Sequence, residues 1–199
     1  MRICKHVIIL SVAFLLFVFG TLLCDKQNLQ NNLIRLHIVA NSDEEADQKA
    51  KMLVKEEVTQ FLLTHMQNAS SKEEARRFLE RELTNIQSCA EAALDNAGVT
   101  GQVRVQLSKE AFGLRSYDTF SLPSGIYDAL RIELGEGKGE NWWCVVFPSL
   151  CDPVTSSGFA SAADRSGFDQ TLTGTLTGVY EVRFLLLDWL GRIENFLFG

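Results

Sequence analysis

One uncharged run, Val7–Leu23 (VIILSVAFLLFVFGTLL), constrains this chain more than any other feature. As a helix it reaches about 25 Å at 1.5 Å per residue, the lower margin of a bilayer's hydrocarbon core. Arg2 and Lys5 precede it and Asp25 follows it, the charge order that keeps an N-terminus inside and sends the remainder outside. Val18-Phe19-Gly20 offers modest side chains to a signal peptidase, so cleavage after Gly20 and retention as an anchor are both open. Leu23 directly before Cys24 argues against a lipoprotein, and a buried core helix fits the charge order less well. Residues 1–24 therefore read as a signal peptide or N-terminal membrane anchor. The chain is expected to be exported, either secreted or membrane-anchored.

The 199 residues suffice for one domain with a useful core. Net charge is −6, and Arg2 and Lys5 are the only charged residues before Asp25, so the exported part is more acidic still. An acidic surface with no Lys/Arg cluster has no field to hold a phosphate backbone, which excludes nucleic acid as an expected partner.

The apolar spacing gives an α+β reading. Leu33–Ala40 alternates like a half-buried strand, with Leu36, Ile38 and Ala40 on one face and Arg35, His37 and Val39 on the other. Ser42 with Glu45, and Ser71 with Glu74, have capping-box spacing and open two amphipathic helices. The first carries Ala50, Val54, Val58 and Leu62 at helical spacing; the second carries Ala75, Leu79, Ile86, Ala90 and Leu94. After Gly98 the period changes to two, with strands over Val103–Leu107 and Leu130–Leu134 and a more apolar one over Trp142–Phe147. Gly135-Glu136-Gly137-Lys138-Gly139-Glu140-Asn141 joins the last two most simply as a hairpin loop. Residues 152–178 are Ser/Thr/Gly-rich and read as a linker, and 179–199 form a strongly apolar amphipathic helix. The expected arrangement is a single exported domain over 25–151: strand, two amphipathic helices, an antiparallel sheet with a hairpin, then the linker and terminal helix.

No catalytic, cofactor-binding or metal-ligating set emerges. The glycine loop lacks the GxxxxGK[ST] spacing of a phosphate cradle, and Glu136 and Glu140 would repel phosphate. There is no G-x-S-x-G or HExxH, and His6, His37 and His65 are scattered. His37, Ser42 and Asp43 place triad residue types near one another, which leaves a secreted hydrolase of unknown substrate as an alternative. A structural cell-envelope module is the other. Recognition suits the remainder better. Trp142 and Trp143 must face opposite sides of a strand, and the one pointing outward beside a glycine loop would make a rigid apolar anchor. Gly135, Glu136, Gly137, Lys138, Gly139, Glu140, Asn141, Trp142 and Trp143 are accordingly the partner-binding candidates. The terminal helix has more apolar surface than one core needs, and can dock on this domain, on a membrane or on a partner. Cys144 and Cys151, with six residues including Pro148 between them, can bridge a strand end to its turn, though spacing alone does not decide it.

Two blocks carry a family resemblance. Ile34-Arg35-Leu36-His37-Ile38-Val39-Ala40-Asn41-Ser42-Asp43 resembles the block that opens the stage II sporulation protein R (SpoIIR) family. Leu122–Leu130 (LPSGIYDAL) with Leu134–Cys151 (LGEGKGENWWCVVFPSLC) resembles its second. Ala111-Phe112-Gly113, Tyr117-Asp118 and Leu122-Pro123-Ser124-Gly125 depart from the usual Phe-Pro, Tyr-Gly and Pro-Ala-Gly. The resemblance implies an intercellular signal of endospore formation with no enzymatic activity and no cofactor. Such a protein is exported from the forespore into the intermembrane space. There its partner is a membrane-embedded aspartic protease of the mother cell (SpoIIGA), which processes the precursor of sigma E. The resemblance also favours the Cys144–Cys151 pairing. Mass spectrometry of the non-reduced exported protein is expected to find these two peptides linked; two free thiols there would refute the bridge.

Overall fold

The computed structural model describes residues 2–66, 69–148, 168, 170–178 and 181–199. Its elements are helix α1 (Arg2–Asn32), strand β1 (Ile34–Val39), helices α2 (Glu45–His65) and α3 (Lys72–Asn96), and strand β2 (Val103–Phe112). Two short strands, β3 (Arg115–Ser116) and β4 (Ser121–Leu122), pair in a small flap before β5 (Gly125–Leu134) and β6 (Asn141–Phe147). Helices α4 (Gln170–Leu176) and α5 (Glu181–Phe198) close the chain. The fold is α+β.

The four long strands lie in the order β2-β5-β1-β6. β1 runs parallel to β5 and antiparallel to β6, and β2 is antiparallel to β5. β5 and β6 are therefore not neighbours, and the expected hairpin over Gly135–Asn141 is instead a loop that crosses the end of β1. The local pattern shows two strands and a glycine-rich connection; which strand comes between them depends on pairing with a segment a hundred residues earlier.

Both sheet faces are covered. On one, Leu36, Ile38, Leu130, Ile132, Cys144 and Val146 meet Val54, Val58, Leu79 and Ile86 of α2 and α3. On the other, Phe112, Tyr127, Ala129 and Val145 meet Leu22 and Leu29 of α1, Leu172 and Leu176 of α4, and Leu187 of α5. β1 sits centrally between these layers and every one of its residues is buried, rather than half-buried as its alternation predicted. Its polar face is covered by side chains of β2, β5, β6 and the flap, among them Phe112, Tyr127, Trp143 and Tyr117. Arg35 there is fully buried, its guanidinium 4.1 Å from the Phe112 ring centroid and bonded to the Tyr117 hydroxyl at 3.1 Å.

The helix starts divide. Ser71 caps α3, its hydroxyl accepting from the Glu74 amide at 3.3 Å. Ser42 does not cap α2, which starts after Glu44 without a side-chain cap; the Ser42 hydroxyl oxygen accepts from the Glu44 amide at 3.2 Å, and its proton goes to Asp47 at 2.6 Å. Gln170–Leu176, within the expected linker, is helical because Leu172 and Leu176, four apart, share the buried face. The Cys144–Cys151 pairing falls outside the described residues, since Cys151 is not among them; Cys144 is buried in β6.

Helix α1 continues well past the apolar run. Val7–Phe19 is largely exposed, whereas Leu22 and Leu29 enter the core. Asp25 pairs with Arg183 at 2.5 Å, and Lys26 with Glu194 at 3.1 Å. A cut after Gly20 would leave all of these in the domain. α5 docks on the start of β5 through polar groups: Asp188 accepts from the Ser124 amide at 2.8 Å and Glu194 from the Ile126 amide at 3.0 Å. Gly191 allows this approach, for a Cβ there would collide with the Ser124 carbonyl. Gly191→Ala is expected to cost about 2 kcal/mol through overpacking. In thermal unfolding the variant should melt clearly lower, while Leu185→Ala, on the exposed side of the same helix, should melt near wild type.

Candidate functional site

The crossing loop is held by the turn after β1. Asn41 Oδ1 accepts from the Glu136 amide at 2.9 Å, and the Asn41 carbonyl accepts from the Lys138 amide at 3.2 Å. The Gly139 amide donates to the Ala40 carbonyl at 2.9 Å, and the Glu140 amide to Asp43 Oδ1 at 2.7 Å. Four loop amides thus find oxygens in Ala40, Asn41 and Asp43, while the Gly135 amide donates to the Gln102 carbonyl and the Gly137 amide to the Leu134 carbonyl. The glycines are required by this proximity. Gly135 has a φ of +59, and a Cβ on it would meet the Asn41 side chain; a Cβ on Gly139 would meet the Ser42 carbonyl. The loop is pinned, not pliable as its composition suggests.

A second tier fixes the turn itself. The buried Asp47 accepts from Ser42 Oγ at 2.6 Å and from Asn41 Nδ2 at 2.8 Å. These bonds, Ser42's the larger, hold the Asp47 carboxyl below its usual range despite partial burial. Lys51, also buried, reaches the Glu140 carbonyl at 3.1 Å. From α2, one carboxylate and one ammonium therefore hold the two sides of the crossing.

What the loop offers outward is charge. Glu136, Lys138 and Glu140 are exposed, and Glu136 pairs with Lys138 at 2.6 Å. Gly135 and Gly137 are half-buried and Gly139 is buried. The tryptophans face opposite sides of the sheet as expected, and because both faces are roofed both are half-buried. Trp142 packs on the α2/α3 core with Lys55 Nζ 5.6 Å from its ring centroid. Trp143 lies between His37, stacked at 5.7 Å, and the Arg115 guanidinium at 3.6 Å.

His37, Ser42 and Asp43 do not converge into a triad. His37 Nδ1 pairs with Glu110 at 2.6 Å and Nε2 with Asn141 Oδ1 at 2.7 Å, while Ser42 bonds to Asp47 and Asp43 to the loop. Burial opposes ionisation of Glu110, but hydrogen bonds from His37 and Ser108 and the charge of Arg131 outweigh it, so its carboxyl titrates low. The cluster reads as a satisfied polar core beneath Trp143. Among the described residues, no group of three or more His, Cys, Asp and Glu is placed to hold a metal ion.

The two halves of this clamp are the two distinctive sequence blocks, and their origin is shared with known proteins. The family model for stage II sporulation protein R matches residues 30–156. Stage II sporulation protein R of Bacillus subtilis (strain 168) is 33% identical over 185 residues, covering 83% of each chain. This chain belongs to the stage II sporulation protein R family. No solved structure matches it. The family match takes in both Asn41–Asp43 and Gly135–Glu140, so the clamp lies wholly within the matched region. Sequence reasoning named the loop but missed its holders, Asn41, Asp47 and Lys51. The polar run after an apolar strand was the available signal, and it was spent on a helix cap.

Asp47 gives the clamp a pH signature. Its folded pKa lies below the unfolded value near 3.8, so its stabilisation is complete above about pH 5 and is lost as pH falls through the lowered value. Melting temperatures followed from about pH 7 down to about pH 2 should fall steeply at the acid end. Asp47→Asn should melt lower at neutral pH and show a flatter acid limb; an acid limb parallel to wild type would contradict the assignment.

Proposed function

We propose that this chain is an exported signal of endospore formation. Made in the forespore, it acts in the intermembrane space on the extracytoplasmic part of a mother-cell membrane aspartic protease (SpoIIGA), which then processes the sigma E precursor. Family membership over most of the chain carries this reading, and the N-terminal helix, long and apolar enough to cross a membrane, supports it.

The contact surface in this reading is the rim of the clamped loop: Glu136, Lys138 and Glu140, with the accessible edges of Trp142 and Trp143. A pinned backbone presents these groups at low ordering cost, which favours recognition. Acidic side chains at the rim steer toward a basic patch, an effect that added salt weakens. The tryptophans, half-buried on opposite faces, hold the strand that carries the loop.

Full-length protein presented to vesicles bearing the protease and its precursor tests the reading. The double variant E136K/E140K should process the precursor about tenfold more slowly, from like-charge repulsion at the contact. Its melting temperature should stay near wild type, since both carboxylates are exposed and such surface pairs contribute little. Wild-type processing by this variant would overturn the assignment of the rim. Trp143→Ala serves as the contrast, because losing its packing should lower processing and stability together.

A further inference from the structure

Helix α5 is dressed the wrong way round for a helix that only packs on its own domain. Val182, Leu185, Trp189, Ile193 and Phe196, spaced along one helical face, are all exposed, Trp189 at 58% and Phe196 at 88%. The side turned toward the sheet carries Asp188, Glu194 and Asn195, bonded to Ser124, Ile126 and the Phe112 carbonyl. Phe184 and Leu187, off the main stripe, supply its apolar anchoring. The main stripe, which periodicity alone would assign to a core, therefore has no cover among the described residues.

Its position names the cover. The stripe begins where α1 leaves the domain: Val18 and Leu22 of α1 and Val182 and Leu186 of α5 line one open groove of about 780 Å³. Beyond that point α1 is exposed apolar surface as far back as Val7. Asp25 holds Arg183, while Lys26 and Gln30 hold Glu194 at 3.1 and 2.7 Å. Arg183 and Glu194 are about 16 Å apart along α5, whereas Asp25 and Gln30 are about 8 Å apart along α1, so the two axes cross. A bilayer that takes in α1 up to about Phe19 thus reaches the Val182–Leu186 end of the stripe, and a helix crossing α1 there runs along the bilayer surface.

We infer that the outer face of α5 lies in the membrane interface, with Val182, Leu185, Ile193 and Phe196 among the upper acyl chains. Trp189, midway along the stripe between Leu185 and Ile193, sits with them at the boundary of headgroups and acyl chains, where an amphipathic ring is favourably placed. The domain is then held at two places, by α1 through the bilayer and by α5 upon it, which limits how far it tilts about the α1 exit. The inference rests on α1 being seated in a membrane.

The test uses the full chain reconstituted in phosphatidylglycerol and phosphatidylethanolamine vesicles, with and without lipid brominated on its acyl chains. The chain has three tryptophans, so comparing wild type with Trp189→Phe isolates the emission of Trp189. Flotation with the vesicles is expected for both proteins, and bromolipid should dim the Trp189 emission at least about twofold while leaving Trp189→Phe almost unchanged. Protein that floats with Trp189 equally bright in both vesicles would overturn the role of α5 and leave that of α1 standing. Protein that fails to float would overturn both.

Discussion

The backbone amides of Glu136, Lys138, Gly139 and Glu140 end on oxygens of the Ala40–Asp43 turn, and the sheet's order depends on that closure. β1 lies between β5 and β6, so the connection from β5 to β6 has to pass over the end of β1. A crossing of this kind leaves several amides without ladder partners, and each one buried and unmet would cost about 1–3 kcal/mol. Asn41 and Asp43 accept two of them through side chains, and the Ala40 and Asn41 carbonyls accept two more. Asp47 and Lys51, reaching from α2, then tie this turn to the helical layer.

The same economy of polar contacts organises the opposite layer. α1 and α5 are joined by Asp25–Arg183 and Lys26–Glu194, and α5 is seated on the first residues of β5 by Asp188 and Glu194. Burial works against both carboxylates, yet the amide and side-chain partners hold their pKa values below the usual range. Polar side chains so committed to the sheet leave the apolar stripe of α5 on the outside. The apolar N-terminal helix and this stripe then lie on one side of the molecule, with the clamped loop carried by a different set of elements.

Much of the local structure was legible in the chain. Alternation placed β1, the first half of β2 and the second half of β5, a near-continuous apolar run placed β6, helical spacing placed α2 and α3, and the long apolar run placed the outer part of α1. Ser71 and Glu74 marked the start of α3 correctly, whereas the Ser42 hydroxyl is taken up by the Glu44 amide and by Asp47 of the clamp. The glycines of Gly135-x-Gly137-x-Gly139 announced a special backbone. They did not reveal whether it served freedom or close approach, since both demand a missing Cβ.

What the sequence determined by itself was periodicity, the export-type N-terminus and the two blocks that place the chain in its family. These are properties of neighbouring residues and of short motifs. The tertiary structure alone decided that β1 separates β5 from β6, that Arg35 and His37 are buried against Phe112, Tyr127 and Trp143, and that the main stripe of α5 turns away from the sheet. In each case the deciding contact joins segments far apart in the chain: Ile34–Val39 with Asn141–Phe147, Asn41 with Glu136, Asp188 with Ser124. An apolar stripe in a sequence says that a face is to be removed from water; only the packed neighbours say which face the domain itself covers.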